Sequence, residues 1–500
     1  MTLPRLWAFL AIALPALGAI IANLPSVDLT YHLRAGAGIL DGGGIPTSDT
    51  WTFTAYGAPW ADQQWGAQVI LAATFRLASW TGLVVLRSGL TAFIFGCLYL
   101  IGRRRGLVSR DAALLTLVAF VVSAVALGLR PQLLGMALFA SVLLLVTDRR
   151  AHPGRLWAIP FIVLVWANIH GSFLLGPVVL GLAWLEDVHD RIDRPHRTLL
   201  VAVVSAVAAC VTPLGVGIWG YALGLSMNRA VTERITEWQP TSLRDLPGIM
   251  FFGSALAVVA LAARRGAKTA WPTLAWLAVF FVIGAYAARG VAWWPMGAVA
   301  AIAGVLVMSR APDPSRPEVI GTSLMRRVNL VVAGSVVVVG VALLPVWRPT
   351  DPGLRAPQGV VGIAPPGITA ALRESARPGD RVFNPQPWGS WFEFELPDLP
   401  VAIDSRIEVF PASVWEAYEA VIDGVDGWQA QLDSWGVTLV VVAHKDTDLA
   451  ARLASAGWRT LYTDDDGSVV VAPDREARVA ARTGIVGTAG FGHQADRIRP

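Results

Sequence analysis

The sequence predicts a polytopic α-helical membrane protein of about eleven transmembrane helices, with a C-terminal α/β domain on the extracytoplasmic side. Three observations predict it. The 500-residue chain is 54% hydrophobic and 15% charged, with a mean hydropathy of +0.54, whereas a soluble domain carries about 25% charged residues. The apolar residues gather in blocks long enough for a helix to cross about 30 Å of hydrocarbon. The basic residues sit in short clusters between those blocks, where membrane proteins place them.

The blocks read as spans at 7–24, 82–101, 111–129, 131–147, 156–169, 171–186, 198–217, 248–263, 270–288, 290–309 and 328–346. Two pairs of spans are nearly continuous and break at Arg130-Pro131 and at His170-Gly171, residue types expected where a chain turns back. The apolar stretch 65–80 is short and holds Arg76, so it reads as an interfacial helix. Arg5 precedes the first apolar run, which reaches Leu24 without a clear small-x-small cleavage site and so reads as an uncleaved first span.

Five basic clusters set the orientation: Arg103–Arg110, Arg149–Arg155, Arg191–Arg197, Arg264–Lys268 and Arg310–Arg327. With these spans all five fall on the side of Arg5, which the positive-inside rule makes cytoplasmic. Counting 65–80 as a span would put the first cluster outside. Eleven spans place everything after Trp347 outside. The net charge of +4 gives no reason to expect a nucleic-acid partner, and the two cysteines, Cys97 and Cys210, lie in apolar blocks and make no disulfide framework.

The linear division is a transmembrane domain over 1–346, an outer domain over 347–474 and a disordered tail over 475–500. In the outer domain strands are expected at 381–384, 401–404, 437–443, 458–463 and 468–472, and helices at 367–376, 412–422, 426–435 and 446–456. The alternation predicts a largely parallel sheet. No glycine-rich phosphate loop follows a strand.

Polar residues gather at one membrane face. The first outer loop holds Asp28, His32, Asp41, Asp49 and Asp62; Arg130, Asn168, His170, Glu237 and Arg289 fall at later outer turns. A charge within a membrane helix costs about 2.5–3.5 kcal/mol on insertion scales, so such residues mark a functional cavity. Carboxylates early in the chain suit a general base or a divalent-metal ligand. Arginines at two separate turns suit an anionic group such as phosphate. Each has a plainer role open to it: Asp28 and Asp49 as cap or turn residues, Arg130 and Arg289 reaching to headgroups, His170 serving a tight turn, and Glu237 pairing with Arg229 or Arg234.

The stretch Asp28-Leu-Thr-Tyr-His32-Leu-Arg-Ala-Gly36, with Gly44-Ile-Pro46-Thr-Ser-Asp49 and Trp60…Trp65, resembles the first outer loop of GT-C glycosyltransferases. Those enzymes take a sugar from a polyprenyl-phosphate carrier. The resemblance implies a catalytic base or metal ligand at Asp28 and a second acid at Asp49. Arg130-Pro-Gln132, Trp166-Ala-Asn168-Ile-His170-Gly171, Thr212-Pro-Leu-Gly215, Ile235-Thr-Glu237-Trp238 and Trp388-Gly-Ser-Trp391…Ile403-Asp404-Ser-Arg406 resemble a family of uncharacterised bacterial GT-C-like membrane proteins. A looser resemblance is to the catalytic subunit of oligosaccharyltransferases, through Arg234-Ile-Thr-Glu237 and Trp388-Gly-Ser-Trp391, the second lacking that family's aspartate.

These resemblances imply a bacterial plasma-membrane enzyme that moves a sugar from a polyprenyl-phosphate-linked donor to an extracytoplasmic glycan, lipid or protein acceptor. Asp28 and Asp49 would be catalytic, with His32, Arg130, His170, Glu237 and Arg289 holding substrate. A non-catalytic scaffold of envelope assembly is the main alternative. A transporter would carry its polar groups near the middle of its helices, whereas here they lie at the ends.

Overall fold

The computed structural model describes residues 1–227, 236–264, 269–309 and 322–483. Packing divides the chain differently from its linear reading. Met1–Ala22 and Thr81–Trp347 form one unit; Asn23–Trp80 joins the chain from Arg348 onward in the other.

In the first unit, described helices are long and apolar enough to cross a membrane at Leu3–Ile21, Ser109–Ala126, Gly171–His189, Leu246–Ala263, Ala288–Val307 and Ser323–Ala342. Trp65–Arg104 is a further one, and it straddles the boundary between the units. Shorter apolar helices occupy Pro131–Thr147, Pro153–Ala167, His196–Ala208 and Trp271–Tyr286. Composition and these helices make the chain a membrane protein. Leu256, Val338 and Val207 stand largely exposed on them, which a hydrocarbon solvent tolerates and water does not. Within the helix Ala288–Val307, 78% of the apolar window is buried, against 11% for Ser323–Ala342, so the former is central to its unit and the latter peripheral.

The turns follow from local chemistry. Arg130 is extended (φ −140°, ψ 167°) and Pro131 opens the next helix, the position where a missing N–H costs nothing. His170 is also extended, and its Nδ1 accepts from Ser172 N at 3.2 Å to open the turn Gly171–Leu174. Residues 65–104 are one helical run interrupted at Ala78 and Ser79, whose φ of 50° is left-handed. The expected interfacial segment 65–80 is thus a separate arm that belongs to the second unit.

Several basic residues of the clusters are held by acids. Arg149 and Asp187 are both buried and bond at 2.8 Å, Arg150 reaches Asp190 at 2.7 Å, Arg105 meets Glu186 at 3.5 Å, and Arg104 pairs with Asp148. A desolvated guanidinium needs such partners.

The second unit contains a four-stranded sheet: β1 Val382–Phe383, β2 Leu439–Ala443, β3 Arg459–Thr463 and β4 Gly467–Val471, in the order β1-β2-β4-β3. β1 and β2 are parallel, whereas β2–β4 and β4–β3 are antiparallel, so the expected largely parallel sheet is corrected. Val401, from the stretch expected as a strand, makes single parallel bridges to Thr52 and Val382. The expected helices appear as Pro366–Ser375, Ala412–Asp423, Trp428–Ser434 and Thr447–Ser455.

One more helix, Gln386–Glu395, is absent from the expected set, and it packs against Ser26–Gly38. Close backbone approach fixes both helices. A Cβ at Gly389 would stand 2.0 Å from the Ile403 carbonyl, and one at Gly36 would stand 2.0 Å from that of Gln68. The start of the expected disordered tail is instead a helix, Arg475–Thr483. Its Arg475 Nε donates to Asp380 at 3.0 Å and its Arg478 to the Val437 carbonyl at 3.0 Å. Residues 484–500 of that tail lie outside the described residues.

Candidate active site

The structure places the expected site residues in two groups, one in each unit.

In the first unit Arg130, Glu237 and Arg289 come together. Arg130 offers both terminal nitrogens to Glu237, at 2.9 and 3.2 Å, in the forked geometry favoured by guanidinium and carboxylate. Glu237 lies in the turn Thr236–Trp238, and the next side chain, Trp238, carries the Arg289 guanidinium 4.6 Å above its ring. The segment is laid along the turn that holds Arg289 by Ala288 N to the Gln239 carbonyl at 2.9 Å and Thr241 N to the Ala285 carbonyl at 3.2 Å. Gln132 Nε2 bonds the Arg289 carbonyl at 3.3 Å. Two cations far apart in sequence therefore meet on one dipeptide. Arg229 and Arg234, the nearby bases expected for Glu237, lie outside the described residues.

His170 is more local. Its Nδ1 is 2.7 Å from Ser172 Oγ, which accepts from Trp166 Nε1 at 3.1 Å. A Cβ at Gly135 would sit 3.3 Å from the His170 Cβ, so this turn packs onto the helix that Arg130 opens. Asn168 donates to the carbonyls of Leu164 and Val211, both at 2.9 Å.

Asp28, His32 and Asp49 belong to the second unit. Asp28 is half-buried in the first turn of the helix Ser26–Gly38, and the residues before it are tied down one after another. Leu24 N donates to the Val360 carbonyl at 2.7 Å, and Leu24 and Pro25 pair in parallel with Val361 and Gly362. Ser26 Oγ reaches the Ile363 carbonyl at 3.2 Å, and Ser405 Oγ donates to that of Val27 at 2.7 Å. His32 is buried one turn later, beside the Tyr31 ring. Burial pushes the Tyr31 phenol well up, and the carboxylates of Asp28, Glu408, Asp62 and Asp404 push it further. Burial also raises the Asp62 carboxyl to about 7, against opposing hydrogen bonds from Gln64 N and from Gln68 Nε2, the latter at 2.8 Å.

Asp49 is elsewhere and fully buried. It accepts from Thr52 Oγ1 at 2.6 Å, Thr52 N at 3.1 Å and Trp51 N at 3.3 Å, and pairs with Arg406 at 2.6 Å. These bonds close a turn and hold a buried cation, and a carboxylate so enclosed does not fit the expected role of second catalytic acid. Arg406 also bonds Asp404, at 2.8 Å from Nε, and its guanidinium lies 4.3 Å from the Trp51 ring and 4.5 Å from that of Trp60. Glu393, buried 3.8 Å from Arg406, has its carboxyl pushed well up by burial and then by Asp404. Arg34 packs 4.7 Å over Trp51 and donates to the Glu393 carbonyl at 2.9 Å.

Among the described residues no three His, Cys, Asp or Glu side chains converge as a metal-holding group.

Sequence reasoning missed Glu393, Ser405 and Glu408. Ser405 was within reach, since it sits inside the singled-out Asp404-Ser-Arg406. Trp388-Gly-Ser-Trp391 is largely structural: Gly389 permits close packing, and buried Trp391 donates to Thr369 Oγ1 at 2.9 Å.

No protein-family model matches the sequence, and no curated protein sequence matches it significantly. Solved structures do resemble it. The archaeal oligosaccharyltransferase AglB from Archaeoglobus fulgidus, determined with an inhibitory peptide and a dolichol-phosphate, aligns with a TM-score of 0.54 at 11% identity, covering 87% of this chain and 69% of that one. An apo crystal structure of the A. fulgidus oligosaccharyltransferase aligns at 0.52 and 10% identity, covering 93% and 74%. At such identity the likeness concerns the fold, and it extends over most of both chains: the protein shares the fold of these archaeal oligosaccharyltransferases.

Proposed function

We propose that the protein is a membrane glycosyltransferase that moves a sugar from a polyprenyl-phosphate-linked donor to an extracytoplasmic acceptor. The observation that carries the reading is the convergence of Arg130 and Arg289 on Glu237-Trp238, within a fold shared with a protein solved with dolichol-phosphate bound. Arginine forks match phosphate oxygens bidentately, and two of them can neutralise the charge that grows on a departing phosphate.

An acceptor hydroxyl oxygen attacks C1 of the sugar as the C1–O bond to the polyprenyl phosphate breaks. Asp28 takes the hydroxyl proton, and the phosphate leaves with its electron pair toward Arg130 and Arg289. His32, His170 and Glu237 shape the cavities around these groups, and Asp49 serves packing. The acceptor is a glycan, lipid or protein. Eleven spans with the N-terminus cytoplasmic put Asp28, the outer turns and the C-terminal domain on the extracytoplasmic side of a bacterial plasma membrane.

The test compares polyprenyl-linked lipids by mass spectrometry in cells with the native gene, without it, and with Asp28→Asn at matched expression. A polyprenyl-phosphate sugar is expected to accumulate in both the deletion and Asp28→Asn. Identical carrier lipids in all three would remove the transferase reading in favour of a non-catalytic scaffold.

A further inference from the structure

The segment that ends at Asp28 is held by a second stretch of chain brought to it by the fold. Ser405 Oγ donates its one proton to the Val27 carbonyl at 2.7 Å. Ser390 Oγ, 2.7 Å from Ser405 Oγ, must then donate to it, and in turn accepts from Ser405 N at 3.2 Å. The result is a directed relay from Ser390 through Ser405 to Val27, in which each bond polarises the next. Ser405 itself cannot drift. Its neighbours Asp404 and Arg406 are fully buried and bonded to each other, and Arg406 is pinned by Asp49 and two tryptophan faces.

We propose that Ser405, backed by Ser390, is a positioning residue that sets the Asp28 carboxylate at its working place. The inference rests on the transferase reading of Asp28. The helix Ser26–Gly38 already has its internal hydrogen bonds, and its start is also tethered at Leu24–Ser26, so the Ser405 bond is not needed to form the helix. What it adds is a fixed distance between Val27 and the rigid Arg406 cluster, one residue from Asp28. Displacing a reacting group by about 1 Å costs about a hundredfold in rate. Loss of one tether of several is therefore expected to lower turnover while leaving folding and substrate capture intact.

The test uses the full-length protein in proteoliposomes fused with membranes of cells lacking the gene, as the source of donor and acceptor. Release of free polyprenyl phosphate is followed by mass spectrometry as the amount of those membranes is varied. Ser405→Ala is expected to lower saturating turnover about tenfold to a hundredfold with an unchanged half-saturation point and melting temperature. Ser405→Thr, which keeps the hydroxyl, should restore most of it. Adding Ser405→Ala to Asp28→Asn should cost nothing further. Native turnover in Ser405→Ala would overturn the positioning role and leave the transferase reading standing, as would a loss matched by a fall in melting temperature and not rescued by threonine. No turnover by the native protein would defeat the transferase reading, and the positioning role with it.

Discussion

Arg406 shows how a single buried cation can organise a domain. Its guanidinium has no exposed surface, yet it meets Asp49, Asp404 and Glu393 and lies against Trp51 and Trp60. Three acids around one arginine leave an excess of negative charge. Burial first, and then the neighbouring Asp404, push the Glu393 carboxyl well up, which favours its protonated form there. Arg406→Met would strand two carboxylates without their cation, and breaking a buried pair from one side costs about 3–5 kcal/mol; chemical unfolding of the full-length protein in detergent should show a loss of that order at neutral pH. Glu393→Gln, which imitates the protonated acid, should cost little. Its signature is in the pH dependence. Because folding raises this pKa, the stabilisation from the bound proton is complete below the ordinary glutamate value of about 4.3 and fades as pH rises toward the folded value. The native protein should therefore lose stability relative to Glu393→Gln across that rise, and parallel curves would contradict the assignment.

At the scale of elements, the helix Ser26–Gly38 is held by packing that glycine makes close. Gly36 and Gly38 lie on the same helix but in different surroundings. A Cβ at Gly36 would stand 2.0 Å from the Gln68 carbonyl, whereas one at Gly38 would meet nothing within 4 Å. Gly36→Ala should push the helix off the arm that starts at Trp65, at the cost typical of overpacking, about 1–3 kcal/mol. Gly38→Ala should be neutral or slightly stabilising, since alanine restricts the unfolded chain. Equal melting temperatures for the two variants would mean that the close packing does not govern stability. The same scale explains a misreading. Alternating strands and helices suggested a parallel sheet, yet Thr463 and Gly467 are joined by Asp464-Asp-Asp466 alone. Three residues can close a hairpin, while a parallel pair needs a crossover of a dozen or more, so the antiparallel β3–β4 pair was legible there.

For the molecule as a whole, what the sequence disclosed depended on how local each feature is. A span is a property of about 20 consecutive residues, and the eleven expected spans correspond in position to described apolar helices, seven of them long enough to cross by themselves. The pairing of Glu237 with Arg130 was hidden because nearest-neighbour reasoning looks to Arg229 and Arg234. The union of Asn23–Trp80 with the chain beyond Arg348 was hidden for the same reason, since all of 81–347 intervenes. That union has a consequence for folding. Contacts between segments so distant are the slow ones to form, and residues 23–80 must wait for the C-terminal region to be made. Asp49 then meets Arg406, Phe53 N meets the Val401 carbonyl at 3.1 Å, and Thr54 Oγ1 meets that of Ala402 at 2.5 Å. A chain stopped after Trp347 should still insert, because its apolar helices are complete, but its first loop would lack those partners. Protease added outside spheroplasts should cut such a chain between residues 39 and 64 and spare that stretch in the full-length protein. Cleavage seen only after permeabilisation would instead reverse the proposed orientation, and equal resistance of both chains would mean that the first loop folds without the C-terminal region.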